Sequence, residues 1–591
     1  MEILNYLSLF CGLALFLYGM DIMGDSLKKS AGSGLKNLLG KMTSNPVKGF
    51  ILGLGVTLLI QSSSATTVMV VGFVNSGAMT LLQSVGVIIG ANVGTAITAW
   101  LTALNSLGGE SGAEITGALS WLKPDSWVPI VAVIGICLIM FVKRGRKKDI
   151  GNILLGFAVL MTGMTMMSDA VAPLKNDPGF QSILTMFTNP LLGILAGIVL
   201  TVIIQSSSAS VGILQALTVT GAISYGAAIP IVMGQNIGTC ITALISALGA
   251  NKNGKRAAII HLSFNVIGVV VVSILFYAIN AIVGQFAFLT NATNAWDIAI
   301  IHTLFKLICV VIIGPFYRQL EKISRLIIRD KGEEEQVNIL DERLFGTPAV
   351  AVKSATDATV LMAEVSCRAL KDAISLLDGY DAKLAESIRL LEGKADDYED
   401  QIGSYLVKLS ACDMSDADSN QITKLLHIIG DFERISDHAV NIVESVEEMK
   451  DKKITFSDEA IGDIGVMKRA VVDIVDMTYN AFVNNDLALA EDIEPLEEVV
   501  DELRDKIKYG HILRLQKSEC DIEHGFVLSD LLNNFERVSD HCSNIAGCVV
   551  EISEYDALNM HGYTNQVKGD VKAFDQRVAS YAEKYYLPER K

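Results

Sequence analysis

Cysteine is sparse in this 591-residue chain, and acidic residues are sparse in its first half. The nine cysteines show neither the paired spacing of a zinc site nor a disulfide framework. Cys11, Cys137, Cys240 and Cys309 lie in apolar runs. Cys367, Cys412, Cys520, Cys542 and Cys548 are scattered through the second half, which suits a reduced, cytoplasmic setting for that half. A Walker loop, a dinucleotide glycine fingerprint and a nucleophile–base pair are all missing, so the chain does not read as an enzyme. The first apolar run has no basic n-region and no small-residue cleavage site, and it reads as a retained helix rather than a signal peptide. Residues 1–330 hold 12 Asp+Glu against 20 Lys+Arg, a balance of +8. Residues 331–591 hold 53 against 28, a balance of −25, and the two together give the net charge of −17. The acidic half would repel a phosphodiester backbone, which argues against nucleic acid as a partner.

What is abundant is apolar surface: 51% of residues are hydrophobic and mean hydropathy is +0.41. The chain is too apolar for an ordinary soluble protein and too long for one domain. A bilayer core takes about 20 apolar residues per helix. Candidate spans run over roughly 4–23, 81–104, 127–142, 150–170, 227–248, 257–283 and 296–317. Two apolar stretches remain, 47–76 and 191–220, each with a Gln-Ser-Ser-Ser (QSSS) near its middle. The arm Val47 to Ile60 would be about 21 Å long as a helix, short of a hydrocarbon core of about 30 Å. Each stretch is therefore expected to be a re-entrant hairpin of two half-length arms with a polar tip.

The hairpins are copies. At an offset of 144, residues 45–104 match 189–248 at 22 of 60 positions without a gap. Gln61 to Ala65 falls on Gln205 to Ala209, Gly77-Ala78 on Gly221-Ala222, and GANVGTAITA (90–99) on GQNIGTCITA (234–243). Upstream, Gly12, Gly19-Met20 and Asp25 fall on Gly156, Gly163-Met164 and Asp169. This is an internal duplication. The basic run 143–148 marks the cytoplasmic side. Counting from it places Lys28, Lys29, Lys36, Lys41 and Lys48 inside, with Lys252, Lys255, Arg256, Arg318, Lys322, Arg325 and Arg329. The loop 105–126, with Glu110, Glu114 and Asp125, falls outside, as does 172–192. Three full spans per repeat is an odd number, so the second copy must be inverted. The expected architecture is all-α: a polytopic membrane protein of two inverted repeats followed by a soluble helical part.

Inverted repeats with broken helices at the midplane are a transporter design. A half-helix starting at each serine run presents unpaired N–H groups and a positive dipole end, and two facing tips make an anion site without a cationic side chain. Oxygens of Gln, Ser, Thr and Asn and opened carbonyls suit Na⁺. A lone QSSS could serve only helix packing. Two in register, on arms too short to cross, point to a site. The candidate substrate and sodium set is Gln61, Ser62, Ser63, Ser64, Thr66, Asn92, Thr95, Gln205, Ser206, Ser207, Ser208, Ser210, Asn236 and Thr239. Asp25 and Asp169 sit at span ends, where a solvated carboxylate is ordinary. His302 and Lys306, four apart in the last span, have no repeat partner and could simply pair with neighbours.

Beyond residue 345 the pattern is helical, with only Pro348, Pro495 and Pro588 after 347. DFERISDHAVNI (431–442) matches NFERVSDHCSNI (534–545) at an offset of 103, and EGKADDYEDQI (392–402) matches EEVVDELRDKI (497–507) at 105. Two tandem long-helix bundles are expected. Glu433 and Asp437, like Glu536 and Asp540, share a helix face. The ladders Glu392-Asp396-Asp400 and Glu497-Asp501-Asp505 lie on the preceding helix. Facing carboxylates need a cation between them: Arg434 or Arg537, or an oxygen-ligated metal with His438 or His541 nearby. A solvated acidic stripe is the plainer reading of any one ladder.

The duplicated QSSS hairpins with their GxNxGT segments resemble the type II sodium/phosphate cotransporter family over about 1–320. The ExxRxxDHxxNI copies resemble PhoU-like domains over about 350–590. The whole resembles bacterial sodium/phosphate cotransporters with a PhoU-like tail. That resemblance implies Na⁺-coupled transport of inorganic phosphate across the cell membrane, with Gln61 to Ser64 and Gln205 to Ser208 at the substrate and cation sites. It also implies phosphate-linked regulation by a cytoplasmic tail. A divalent or transition metal, of unspecified identity, is expected on Glu433, Asp437, Glu536, Asp540, Asp396 and Asp501. Expected partners are phosphate, sodium, the lipid bilayer and a second copy of the chain. The expected division is a transporter domain 1–320 (repeats 1–143 and 149–285, extra span 296–317), a linker 321–349, and bundles 350–452 and 456–591. Position 91 is Ala where its copy, position 235, is Gln, so the two halves of the site need not be equivalent.

Overall fold

The computed structural model describes residues 3–40, 45–77, 79–106, 124–142, 146–284, 286–329, 340–554 and 571–587. Residues 143–145 of the basic run, the loop carrying Glu110 and Glu114, and Lys41 lie outside these. Among the described residues there is no strand, only an isolated bridge between Ser224 and Ala292. The chain divides into two compact units, Met1–Val350 and Ala351–Lys591.

Among the described residues of the first unit, six helical stretches are long and apolar enough to cross a membrane: Ile3–Ser30, Leu81–Ser106, Lys147–Lys175, Tyr225–Ser246, Lys252–Val283 and Ala295–Ile327. The expected span at 127–142 corresponds to an apolar helix, Pro124–Phe141. It packs on the helix that follows, with Trp127 stacked on Phe157 at 5.7 Å.

The helices that matter for the site are α1 (Ile3–Gly40), α2 (Pro46–Ile60), α3 (Ser63–Asn75), α4 (Leu81–Gly94), α5 (Ala96–Ala103), α6 (Pro124–Phe141) and α7 (Arg146–Val171). After α8 (Pro178–Met186) come α9 (Pro190–Ile204), α10 (Ser207–Thr218), α11 (Tyr225–Gly238), α12 (Cys240–Ser246), α13 (Lys252–Val283) and α14 (Ala295–Ile313). Asn45 caps α2 and Asn189 caps α9, each accepting from two backbone N–H groups ahead of a proline at N1.

Both apolar stretches break at their QSSS. Gln61 and Gln205 take the left-handed conformation, each with φ 57°. Ser62 and Ser206 follow in extended conformation and cap the next helix. Thr57 Oγ1 donates to Thr66 Oγ1 at 3.1 Å, and Thr201 Oγ1 to Ser210 Oγ at 2.9 Å. Nine residues of unbroken helix would separate such groups by about 13.5 Å. The chain therefore reverses at each tip.

Glycine sets the packing of both copies. A Cβ on Gly53 would sit 2.0 Å from the Val87 carbonyl, and on its copy Gly197, 2.1 Å from the Ile231 carbonyl. Only glycine lets α2 lie so close to α4, and α9 to α11. Between the copies, α1 and α7 run antiparallel with reciprocal contacts: Gly12 meets Gly163 and Gly19 meets Gly156. Because Gly12 is the copy of Gly156 and Gly19 of Gly163, this is a two-fold contact.

The segment expected to be a linker, 321–349, is partly built into the first unit. Residues 317–327 are helical, and 330–339 lie outside the described residues. The 3-10 turn Glu342–Gly346 buries Leu344 completely, with a Leu344 methyl 3.0 Å from where a Cβ on Gly72 would sit.

The second unit is built of long amphipathic helices: Ala382–Ser410, Asp416–Lys452, Asp458–Asn484, Ile493–Gln516, Ile522–Glu554 and, at its end, Val571–Lys584. The helices carrying the two DH motifs, Asp416–Lys452 and Ile522–Glu554, are cross-linked reciprocally. His438 Nδ1 lies 2.8 Å from Asn534 Oδ1, and His541 Nδ1 lies 2.9 Å from Asp431 Oδ1. Asn534 is the copy of Asp431.

Candidate functional site

The two tips open onto one cavity of about 550 Å³. Gln61 to Ser64 and Gln205 to Ser208 line it together, with Thr95 and residues of α1 that include Tyr18, Asp21, Asp25 and Lys28. At the first tip Ser62 Oγ accepts from the Ala65 N–H at 3.1 Å. At the second, Ser206 Oγ accepts from the Ala209 N–H at 3.2 Å. The N–H groups of Ser63 and Ser64, and of Ser207 and Ser208, stand at the first positions of α3 and α10, where no intrahelical acceptor exists. Two helix N-termini and up to six hydroxyls thus converge on one space, suited to an oxyanion. Gln61 is locked in place: Nε2 donates to the Leu58 carbonyl at 2.6 Å and Oε1 accepts from Thr98 at 3.1 Å.

The remaining polar candidates stand behind the tips. Thr66 and Ser210 are fully buried and hold the reversals. Asn92 Nδ2 donates to Asn265 Oδ1 at 2.7 Å, and Asn236 Nδ2 to the Val232 carbonyl at 2.9 Å. Thr239 Oγ1 donates to the Gln235 carbonyl at 2.8 Å. Of the GxNxGT residues only Thr95 lines the cavity. Thr95 and Thr239 each stand at a helix break, α4/α5 and α11/α12.

The acidic ladders of the bundle unit differ from one another. Ligand oxygens of Glu392, Asp396 and Asp437 lie within 4.8 Å of one another, close enough to share one ion. Glu433 adjoins them, and burial together with the Asp437 charge raises its carboxyl to about 7. Burial followed by neighbouring carboxylates also raises Asp396 and Glu392. Arg434 lies on the edge, 3.1 Å from Asp437 and 3.4 Å from Glu433. In the second set a guanidinium already occupies the centre. Arg504 reaches Glu536 at 2.8 Å, Asp501 at 3.3 Å and Asp505 at 3.0 Å. Arg537, expected there, sits 3.9 Å from Glu536 and is largely exposed. The first cluster has the donors for a hard or borderline cation; in the second, Arg504 pairs with three of the carboxylates, while burial and neighbouring carboxylates raise Glu497 and Asp540.

Family models place this arrangement. The Na⁺/Pi-cotransporter model matches residues 15–169 and again 160–294, and the PhoU domain model matches 359–446 and 464–549. The chain is 30% identical to YqeW of Bacillus subtilis (strain 168), an uncharacterized protein, over 317 residues, 54% of this chain and 96% of that one. The chain belongs to the Na⁺/Pi-cotransporter family. It also carries two PhoU domain matches. It is 23% identical over 563 residues, 94% of its length, to YjbB of Escherichia coli (strain K12), which is matched over 99% and is named provisionally for inorganic phosphate export. A 132-residue stretch, 21% of each chain, is 30% identical to sodium-dependent phosphate transport protein 2A of Ovis aries.

Sequence reasoning did not select Asp21, Tyr18 or Lys28, and it set Asp25 aside. In the structure α1 brings them to the tips, with Lys28 Nζ 2.8 Å from Asp25 Oδ1. Asp169, the copy of Asp25, is exposed as Asp25 is, but it does not line the cavity. Lys306, also set aside, is buried and bonded to the Asn92 carbonyl and to Thr95.

Proposed function

We propose that this protein is a secondary transporter that moves inorganic phosphate across the cell membrane in step with Na⁺. The observation that carries the reading is the shared cavity: two duplicated serine-capped helix starts line it, with acidic and neutral oxygens beside them. Phosphate binds to the hydroxyls and N–H groups of Ser62–Ser64 and Ser206–Ser208. Na⁺ binds to neutral oxygens near the tips, lowers the cost of holding an anion in low dielectric, and ties phosphate movement to the sodium gradient. The reciprocal α1–α7 contact supports inverted repeats that rock about the cavity to give alternating access. The bundle unit lies in the cytoplasm and regulates transport there, a reading that the basic segments support. Its cluster of Glu392, Asp396, Glu433 and Asp437 holds a metal ion, which would fix the two helices that supply these ligands.

The test is ³²P-phosphate flux in proteoliposomes under an imposed Na⁺ gradient, with Li⁺, K⁺ or H⁺ in its place. Flux that follows Na⁺ alone is expected; flux indifferent to the cation contradicts the coupling. The resemblance to YjbB over nearly the whole chain favours a second reading of direction, with net export that relieves phosphate overload. Cells lacking the protein would then accumulate phosphate, whereas an importer's loss would deplete it.

A further inference from the structure

We propose that the ammonium of Lys306 is a tethered cation that stands in for a coupling Na⁺ at the helix break of the first repeat, leaving the second break to a mobile ion. The inference rests on the Na⁺-coupled reading above and deepens it. Lys306 comes from α14, outside the aligned copies, and is 4% exposed. Its Nζ donates to the Asn92 carbonyl at 2.7 Å and to Thr95 Oγ1 at 2.5 Å. Those are the neutral oxygens a hard monovalent cation would take. Among the described residues no carboxylate pairs with this ammonium. An uncompensated buried charge is costly to keep, and here it sits on Thr95, which itself lines the phosphate cavity. Its positive charge is well placed to offset a bound oxyanion.

The second break has the opposite character. Among the described residues no cationic side chain bonds to Asn236 or Thr239; their side chains are turned to carbonyls of their own helix. Gln235, which replaces Ala91, is 1% exposed. Its Nε2 donates to the Ser210 carbonyl behind the second tip at 3.0 Å, while its Oε1 is buried without a hydrogen-bond partner. A buried acceptor left unpaired is destabilising, and one beside a helix break is a ligand for a cation. The copies therefore divide the work. The first has alanine and a built-in ammonium; the second has a spare carboxamide oxygen and, among the described residues, no tethered cation.

The experiment is the ratio of ²²Na⁺ to ³²P-phosphate moved by proteoliposomes bearing wild-type protein, Lys306→Met, Lys306→Arg or Gln235→Ala. Lys306→Met is expected to move one more Na⁺ per phosphate and to need several-fold more Na⁺ for half-maximal flux. Lys306→Arg keeps the wild-type ratio, and Gln235→Ala loses one Na⁺ per phosphate. If Lys306→Met carries no phosphate, the purified variant is melted in NaCl and in KCl. A steeper Na⁺-specific stabilisation than the wild type's supports the inference, and an equal one overturns it. Wild-type ratios in both Lys306→Met and Gln235→Ala also overturn it while leaving the function intact. A wild-type protein whose flux ignores Na⁺ instead refutes the functional reading, and the inference with it.

Discussion

Asn75, the last residue of α3, donates from Nδ2 to Asp341 Oδ2 at 2.9 Å, across 266 residues of sequence. The same side chain accepts from the Asn251 N–H at 2.6 Å, which ties the start of α13 to the pair. The helix that begins at Ser63 in the cavity thus ends on the segment that leads into the bundle unit. Asp341→Ala leaves a buried amide short of an acceptor, at about 1–3 kcal/mol, and Leu344→Ala opens a cavity at about 2–5 kcal/mol. Both substitutions are expected to speed amide hydrogen exchange in 340–347 and at the C-terminal end of α3. Exchange at wild-type rates in both would show that the segment does not hold α3.

Asp25 faces the same cavity as the serines, where a carboxylate opposes an oxyanion and favours a cation. Asp25→Asn is expected to raise the Na⁺ concentration for half-maximal flux several-fold while leaving phosphate affinity at saturating Na⁺ within about twofold. Asp169→Asn, at the exposed copy, should change neither. Equal effects at both positions would contradict the asymmetry of the cavity.

Where the two acidic ladders align, the first has Glu399 and the second Arg504. Mass spectrometry of bound metal should find it on the first cluster only, lost in the Asp396→Ala/Asp437→Ala double variant. Arg504→Glu removes the internal cation and is expected to add a second equivalent of metal. Retention of metal in the double variant would refute the assignment.

Lys424 lies inside the bundle, 3% exposed, with Nζ 3.2 Å from Asn485 Oδ1. Burial lowers its ammonium to about 8 from an ordinary value of 10.5. Between those values the unfolded chain binds the proton that the folded one releases, so stability rises as pH climbs from about 8 to about 10.5. Below pH 8 the folded state bears the cost of a buried charge. Lys424→Met should therefore raise the melting temperature of the detergent-solubilised protein at pH 7, and much less at pH 10. A lower melting temperature at pH 7 would show that the ammonium is compensated.

The breaks at both QSSS could be located from the sequence because their causes are local. A serine cap, a proline-led arm of fixed length and a second copy in the same frame each mark the position. The opposition of Glu399 and Arg504 is likewise legible in the offset of 105 that aligns the two ladders. The role of α1 was not. Asp25 at the end of an apolar run looks the same whether it meets water or a neighbouring tip, and only the glycine-tight α1–α7 crossing brings it to the cavity. Lys306 and Thr95 are 211 residues apart, and no pattern along the chain records a contact of that range.

The central claim is that one phosphate is held by both serine tips at once. Equilibrium dialysis of ³²P-phosphate against the purified protein in Na⁺ tests it, with Ser62–Ser64 or Ser206–Ser208 replaced by alanine separately. The account predicts one phosphate per wild-type chain and at least a tenfold loss of affinity in either triple variant. Binding that survives at wild-type affinity in one of them, or two phosphates per chain that fall to one in each, would contradict it.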